Sequence, residues 1–552
     1  MNDNVFLEAV YHSNPTMLKI VRSAQSGRTA TPKAMAPNLT SVVALRPQPM
    51  PAPKQRTLSR LAGRVLAAIL AVVLTAPPSG FAPPAFAQAL PQLGDAAGDE
   101  LTPAAERRIG EAVMRELRRA GVLLDDVELT EFLNAFVARL AATPAASGFS
   151  FELFAIDDRT LNAFALPGGF IGVHTGLFAS AQSESELASV LAHEIGHVTQ
   201  RHIARMLSAQ RQSMALMITS LVLAALAARS NPQAAGGVVA LGSTLQQGQM
   251  LGFSRDAERE ADRLGLEMLQ QAGFEGVAMA SFFERLQQAS RLNESAAPVY
   301  MRTHPLTIER MGDIRNRVLE SRYRQRADSL EFLLLRVRLR ATLDRSLDGL
   351  SRSRSVLERQ LAERAIDPAL AWFGLAAVGL QAQDEAFTRS AIEQARKLLP
   401  PAHPFVERLA AELELTLNRP REALVVVERA IARSQRTPAL THTQARCLLL
   451  LGDWKSAEAL ISSALEERRG DARLWQMLAQ AQSALGKTAQ AHVSMGEHYA
   501  LLGAWPTAIE QLQLAQRTRS MSFYEASRID ARLRELRAAF RIELEDRNAG
   551  LR

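Results

Sequence analysis

The 552-residue chain contains one cysteine, Cys447, so no internal disulfide framework can staple it. Its setting, Ala445-Arg-Cys-Leu-Leu-Leu450, reads as the packed face of a helix, where a thiol serves as a small hydrophobe rather than a reactive group. Aromatic residues make up only 5% of the chain while Ala and Leu abound, which leans the reading toward helix. Long apolar runs are missing as well. Residues 214–228 are apolar for fifteen residues, short of the roughly 20 that a spanning helix needs. Runs this short speak against a fold with several membrane-spanning helices. Net charge is missing from most of the chain, because the formal +7 is accounted for by residues 1–87, with nine basic against two acidic side chains. A neutral remainder gives no reason to expect phosphate-backbone binding, so nucleic acid is not an expected partner.

A chain this long exceeds what one hydrophobic core usually organises, so two or more domains are expected. The basic first segment leads into a ten-residue apolar run, Val65–Leu74, then small residues and prolines, then Ala85-Phe-Ala87 before Gln88. This is the layout of a cleaved secretory signal with processing after Ala87, which predicts export. Ten residues reach about 15 Å as a helix, half a bilayer core, so a permanent anchor is the weaker reading. The sixty residues before Leu61 suit neither, and a start assigned too far upstream, with Met50 as one candidate for the true one, accounts for them most simply. Residues 88–101, rich in Pro, Gly and Ala, read as a flexible leader.

Apolar spacings of three and four predict helices over Glu106–Ala120 and Val127–Leu140. Alternation over Phe149–Ile156 predicts a strand, and two more extended pieces, Ala163–Leu166 and Phe170–His174, flank a Pro167-Gly-Gly turn. Ser183 and Glu186 form a capping-box pattern, so a main helix is expected from there to about Leu207. The apolar stretch 214–242, broken at Arg229–Gln233, reads as a buried or interfacial helical hairpin with peripheral membrane contact as one outcome. From about residue 330 the pattern is helical and repeats. Ala411, Ala445 and Ala479 are 34 apart, as are Leu417, Leu451 and Leu485, with Ala423, Ala457 and Ala491 after them. A 34-residue period with small residues at helix crossings is the tetratricopeptide signature. A further turn, Leu502–Ala508, falls half a period on and marks either a rearranged last repeat or the start of a capping pair. The predicted fold is therefore mainly α with a small β-sheet: an HExxH metallopeptidase domain over 102–325, then a repeat solenoid over 330–545.

The chemistry centres on His193-Glu-Ile-Gly-His197. Two histidines four apart on a helix project from one face and can grip one metal ion, while Glu194 can take a proton from an attacking water. A third His ten residues after His193 would mark another zinc class, but that position is Ile203. A later helix, begun near Ser254 and stopped by Gly273, carries Glu258 and Asp262 four apart on one face. Glu258 can be the third ligand and Asp262 can accept the second ring N–H of a bound His, with Glu260 directed elsewhere. A repeat-based chaperone or adaptor with a vestigial metal site is the competing reading, against which the intact Glu194 and full ligand set speak.

These motifs, with Asn162–Phe170 ahead of them and the repeats behind, resemble the gluzincin metallopeptidases of the HtpX/BepA superfamily, in particular its periplasmic, repeat-bearing branch. The resemblance covers roughly residues 100–520 and implies one Zn2+ per chain on His193, His197 and Glu258, with Glu194 as general base and Asp262 supporting a ligand. It further implies action on misassembled outer-membrane proteins, with the repeats docking on barrel-assembly machinery. Thr303-His-Pro-Leu-Thr307 with Arg310 also matches, and the resemblance implies that His304 is a candidate fourth ligand, latch or transition-state contact, the alternative being a surface His that starts a helix before Pro305. The Ala163–His174 region would offer an edge strand for substrate backbone, with His174 a strand residue rather than a ligand.

Overall fold

A computed structural model describes residues 101–209, 254–292, 299–320, 325–518 and 522–549. The signal-like segment, the leader up to residue 100 and the apolar stretch 214–242 lie outside the described residues. The described chain is mostly helical with one three-stranded sheet. No described helix is long and apolar enough to cross a membrane.

The chain opens with α1 (Pro103–Arg119) and α2 (Val127–Ala141), started by Thr102 and Asp126 side chains that accept from Ala105 and Leu129 N–H groups at 3.2 and 3.1 Å. Next come β1 (Glu152–Ile156), β2 (Ala163–Leu166) and β3 (Phe170–His174), in sheet order β1-β3-β2, with β1 parallel and β2 antiparallel to β3. The extended region expected to present an edge therefore divides. β3 is the central strand, because β1 pairs along its other side from Glu152↔Phe170 to Ile156↔His174, and of β2 and β3 only β2 is an edge.

After a short α3 (Thr175–Ser180) runs α4 (Glu184–Thr199), every residue of which is buried, so it lacks a solvent stripe and forms the axis of the domain. Leu187, Leu191 and Ile195 are fully buried, each contributing roughly 1.5–3 kcal/mol. Ser183 caps it by accepting from the Glu186 N–H at 3.1 Å, while the Glu186 carboxylate turns back to Gln182 N–H, one residue earlier than the reciprocal box predicts.

The expected run to Leu207 is interrupted. Arg201 adopts a left-handed φ of 52° and α5 (His202–Ala209) restarts in a new direction. Such a conformation is costly for a non-glycine residue. It is held by the Arg201 guanidinium on Glu106, Nε to Oε1 at 2.7 Å, and on the Leu101 carbonyl. The domain continues with α6 (Arg255–Gln271), α7 (Val277–Leu292), α8 (Val299–Thr303) and α9 (Ile308–Glu320). Ser254 caps α6, and Gly273 follows its end at φ 80°, where expected.

From Leu330 the described chain is helical hairpins: α10 (Leu330–Ala341), α11 (Leu347–Ala362), α12 (Pro368–Gln381), α13 (Glu385–Leu398), α14 (Pro404–Thr416), α15 (Pro420–Arg433), α16 (Pro438–Leu451), α17 (Trp454–Glu467), α18 (Ala472–Ala484) and α19 (Thr488–Leu501). The periodic alanines are the crossing points, with Ala411, Ala445, Ala423, Ala457 and Ala491 all fully buried. Each periodic leucine closes a helix, and the next residue, Asn418, Gly452 or Gly486, takes φ 57°, 74° or 74°, which ends it. The half-period turn begins a closing pair, α20 (Trp505–Arg517) and α21 (Phe523–Ala549), around Ala508, Leu512, Leu533 and Leu536. Cys447 sits buried among these helices, and burial pushes its thiol up to about 12, as expected of a packing residue.

The array returns to the first domain through arginines. Arg338 on α10 reaches Asp126 at 2.7 Å and Glu128 at 3.3 Å, and Arg408 on α14 reaches Glu128 at 2.8 Å. At the far end, Arg115 on α1 meets Glu543 on α21 at 3.3 Å.

Candidate metal centre

His193 and His197 stand one turn apart on α4, and Glu258 and Asp262 one turn apart on α6. Two glycines let these helices meet backbone to backbone: a Cβ at Gly196 would lie 3.0 Å from Ala261 Cα, and one at Gly265 would lie 3.0 Å from His193 N. That close approach lets both short carboxylates reach the histidines. The loop after α8 adds His304. One donor atom from each of His193, His197, Glu258 and His304 lies within 4.8 Å of all the others, and all four residues are buried.

The ring orientations aim these donors at one point. His193 Nε2 lies 3.0 Å from His197 Nε2 and 3.3 Å from His304 Nδ1, while Glu258 Oε1 lies 3.0 Å from His304 Nδ1 and 3.4 Å from His197 Nε2. The outer nitrogens face other polar groups. His193 Nδ1 faces Asp262 Oδ1 at 3.0 Å, and His197 Nδ1 faces His202 Nδ1 at 2.9 Å. Two imidazoles whose Nδ1 atoms face other polar groups and whose Nε2 lone pairs converge beside a carboxylate fit a buried metal ion.

Electrostatics agree. Burial disfavours a charge on His193, but Asp262 and Glu258 outweigh it and push the imidazole up to about 10. Burial holds His197 well below the usual histidine range. Burial also works against the Glu258 carboxylate, yet His304, His193 and His197 hold it well below its ordinary range. The centre thus calls for positive charge, which a divalent cation supplies.

Glu194, fully buried, accepts from the Ala165 N–H on edge strand β2 through Oε2 at 3.1 Å. Its Oε1 has no hydrogen bond and lies 3.5 Å from His304 Nε2. Arg310 on α9, 2% exposed, grips Asp262 with two bonds of 2.6 and 2.8 Å, touches Glu258 at 2.6 Å and donates to the Pro305 carbonyl at 2.7 Å. It ties α6 to the His304 loop. Tyr300 stacks on His304 with ring centres 4.6 Å apart, and its buried hydroxyl has no hydrogen bond.

The structure brings together His193, Glu194, His197, Glu258, Asp262 and His304. His304 is enclosed rather than on the surface. His174 stays apart, ending β3 with Nδ1 2.8 Å from Thr160 Oγ1. Glu260 points away, 3.0 Å from His202 Nε2 and 3.1 Å from Arg205. Sequence reasoning missed the depth of Arg310, the stacking of Tyr300 and the contact of His202. Spacing hinted only at the last, since His202 follows His197 by five, and the helix break that turns it back was not foreseen.

Residues 128–318 match the profile of Peptidase family M48 and residues 414–481 that of the tetratricopeptide repeat, so helix pair, sheet and hairpin array define a metalloendopeptidase with a repeat domain. The chain is 33% identical over 483 residues to the beta-barrel assembly-enhancing protease of Escherichia coli K12, covering 85% of this chain and 96% of the relative. A putative beta-barrel assembly-enhancing protease of Vibrio cholerae is 33% identical, covering 82% of this chain and 94% of that one. The chain belongs to the family of beta-barrel assembly-enhancing proteases. A more distant likeness, 31% identity over 198 residues, covers 36% of this chain and 38% of the mitochondrial metalloendopeptidase OMA1 of Arabidopsis thaliana.

Proposed function

We propose that the protein is a zinc endopeptidase of the periplasm that cleaves misassembled outer-membrane proteins and assists their assembly. The observation that carries the chemistry is the convergence of four buried donor atoms within 4.8 Å. His193, His197 and Glu258 would hold one zinc ion, and Asp262 would fix the His193 tautomer. The metal, when bound, supplies Lewis acidity at the scissile carbonyl and the attacking water. Glu194 does the proton work. Its Oε2 is steadied by Ala165, and its Oε1, free of hydrogen bonds, takes the proton from water and passes it to the leaving amine. The outer edge of β2 offers backbone groups to an extended substrate, which suits an enzyme that reads many sequences. On this reading residues 1–87 form the extension and cleaved signal, 88–101 a leader, 102–325 the peptidase and 330–545 the repeats. The repeats hold unfolded clients and dock on barrel-assembly machinery.

Glu194→Gln tests the mechanism: zinc stays bound while casein cleavage falls by at least about 10²–10⁴-fold, and wild-type turnover would overturn it. His304 lies where a fourth donor would stand, 3.3 Å from His193 Nε2, and we assign it a latch on the position that water must occupy. His304→Ala then keeps zinc and cleaves casein faster than wild type. Slower cleavage would instead make His304 a transition-state contact, and unchanged rate and affinity would remove it from the site.

A further inference from the structure

The two metal-facing histidines of α4 are supported differently. His193 leans directly on a buried carboxylate, Asp262. His197 leans on another imidazole: its Nδ1 lies 2.9 Å from His202 Nδ1, and His202 Nε2 lies 3.0 Å from Glu260 Oε2, itself held by Arg205 at 3.1 Å. Proton placement follows from the metal-centre reading, on which this inference rests. With the His197 Nε2 lone pair aimed at the metal, His197 Nδ1 carries the hydrogen and donates to His202 Nδ1, and His202 Nε2–H then donates to Glu260. The backbone is bent to make the contact. Without the left-handed turn at Arg201, φ 52°, a continued α4 would place residue 202 five positions after His197, on another face of the helix. From this arrangement we infer that His202, backed by Glu260, is a positioning residue that fixes the tautomer and ring angle of His197.

Outer hydrogen-bond partners of ligating histidines change metal affinity by 10–100-fold. The test uses the full chain carrying His202→Ala, His202→Asn or Glu260→Gln, with zinc affinity measured by chelator competition, zinc release rate by a colorimetric indicator, fold by circular dichroism, and kcat and KM at saturating zinc. His202→Ala should weaken zinc about 10–100-fold, speed its release, and lower kcat with little change in KM. His202→Asn, whose amide oxygen can accept near the Nδ1 position, should recover most of the loss, and Glu260→Gln should give a smaller one. A folded His202→Ala protein with wild-type zinc affinity and release would overturn the inference. His193→Ala separates the failures: if it too keeps tight zinc, the metal-centre assignment itself is wrong. If His193→Ala loses zinc while His202→Ala does not, only the role of His202 falls. If His202→Asn is as impaired as Ala, the residue acts by packing and the proposed hydrogen bond is wrong.

Discussion

The metal centre and the helical array are built on opposite principles. Around α4 and α6, buried charged and polar groups are balanced against each other, and the partners come from far along the chain: His304 follows His193 by 111 residues and Arg310 follows Asp262 by 48. In the array the buried positions are mainly apolar, with Ala411, Ala445 and Ala479 in 34-residue register, and each hairpin packs mainly on its neighbours. The first region holds a site in place at a cost in desolvation, which only complete pairing offsets. The second gains stability from apolar contact and tolerates a local loss.

The comparison breaks most visibly at Arg310. Arg310→Leu leaves Asp262 and Glu258 without their guanidinium, and an uncompensated buried charge costs about 3–5 kcal/mol. Thermal melts of the metal-free protein should show that loss, and a shift under 1 kcal/mol would mean the site is less tightly coupled than its geometry indicates.

Ala445→Leu probes the other region. Extra methylenes at a helix crossing that is fully buried should cost about 1–3 kcal/mol. Zinc affinity should stay unchanged, and a loss of zinc binding would deny the independence of the two regions.

The junction between them gives the smallest effect and the one that depends on pH. Burial raises the Asp126 carboxyl, but Arg338, Arg408 and the Leu129 N–H outweigh it and hold it below the ordinary range. A depressed folded value means the stabilisation is complete above the unfolded value, about 3.9, and is lost as pH falls through the folded one. Asp126→Asn should therefore flatten the fall in melting temperature as pH drops below about 4 relative to wild type. An equal slope in both proteins would place the acid sensitivity elsewhere.

Local rules wrote much of this structure in readable form. The sheet pieces, the caps at Ser183 and Ser254, the stop at Gly273 and the 34-residue helix pairing were legible because each depends on residues within a turn or a hairpin of one another. The donor residues were legible as types and spacings on two helices. Their meeting was not, since it needs Gly196 and Gly265 to bring the helices together and Arg310 to fix the loop carrying His304. The apolar pattern that suggested one helix to Leu207 carried no trace of the break at Arg201, because that turn is held by Glu106, 95 residues earlier. Edge and centre of the sheet were likewise decided by which strand β1 joined.

By itself, then, the sequence determined the elements, the repeat period and the presence of an HExxH helix with an acidic partner helix, all short-range properties of spacing and propensity. Tertiary structure decided that His304, Arg310, Tyr300 and His202 surround that pair, that β2 rather than β3 lies at an edge of the sheet, and that Arg338 and Arg408 lock the array onto α2. The physical reason is the same in each case. Burying a charge or a strained turn is tolerable only when a distant group compensates it, and nothing in local spacing records where that group will come from.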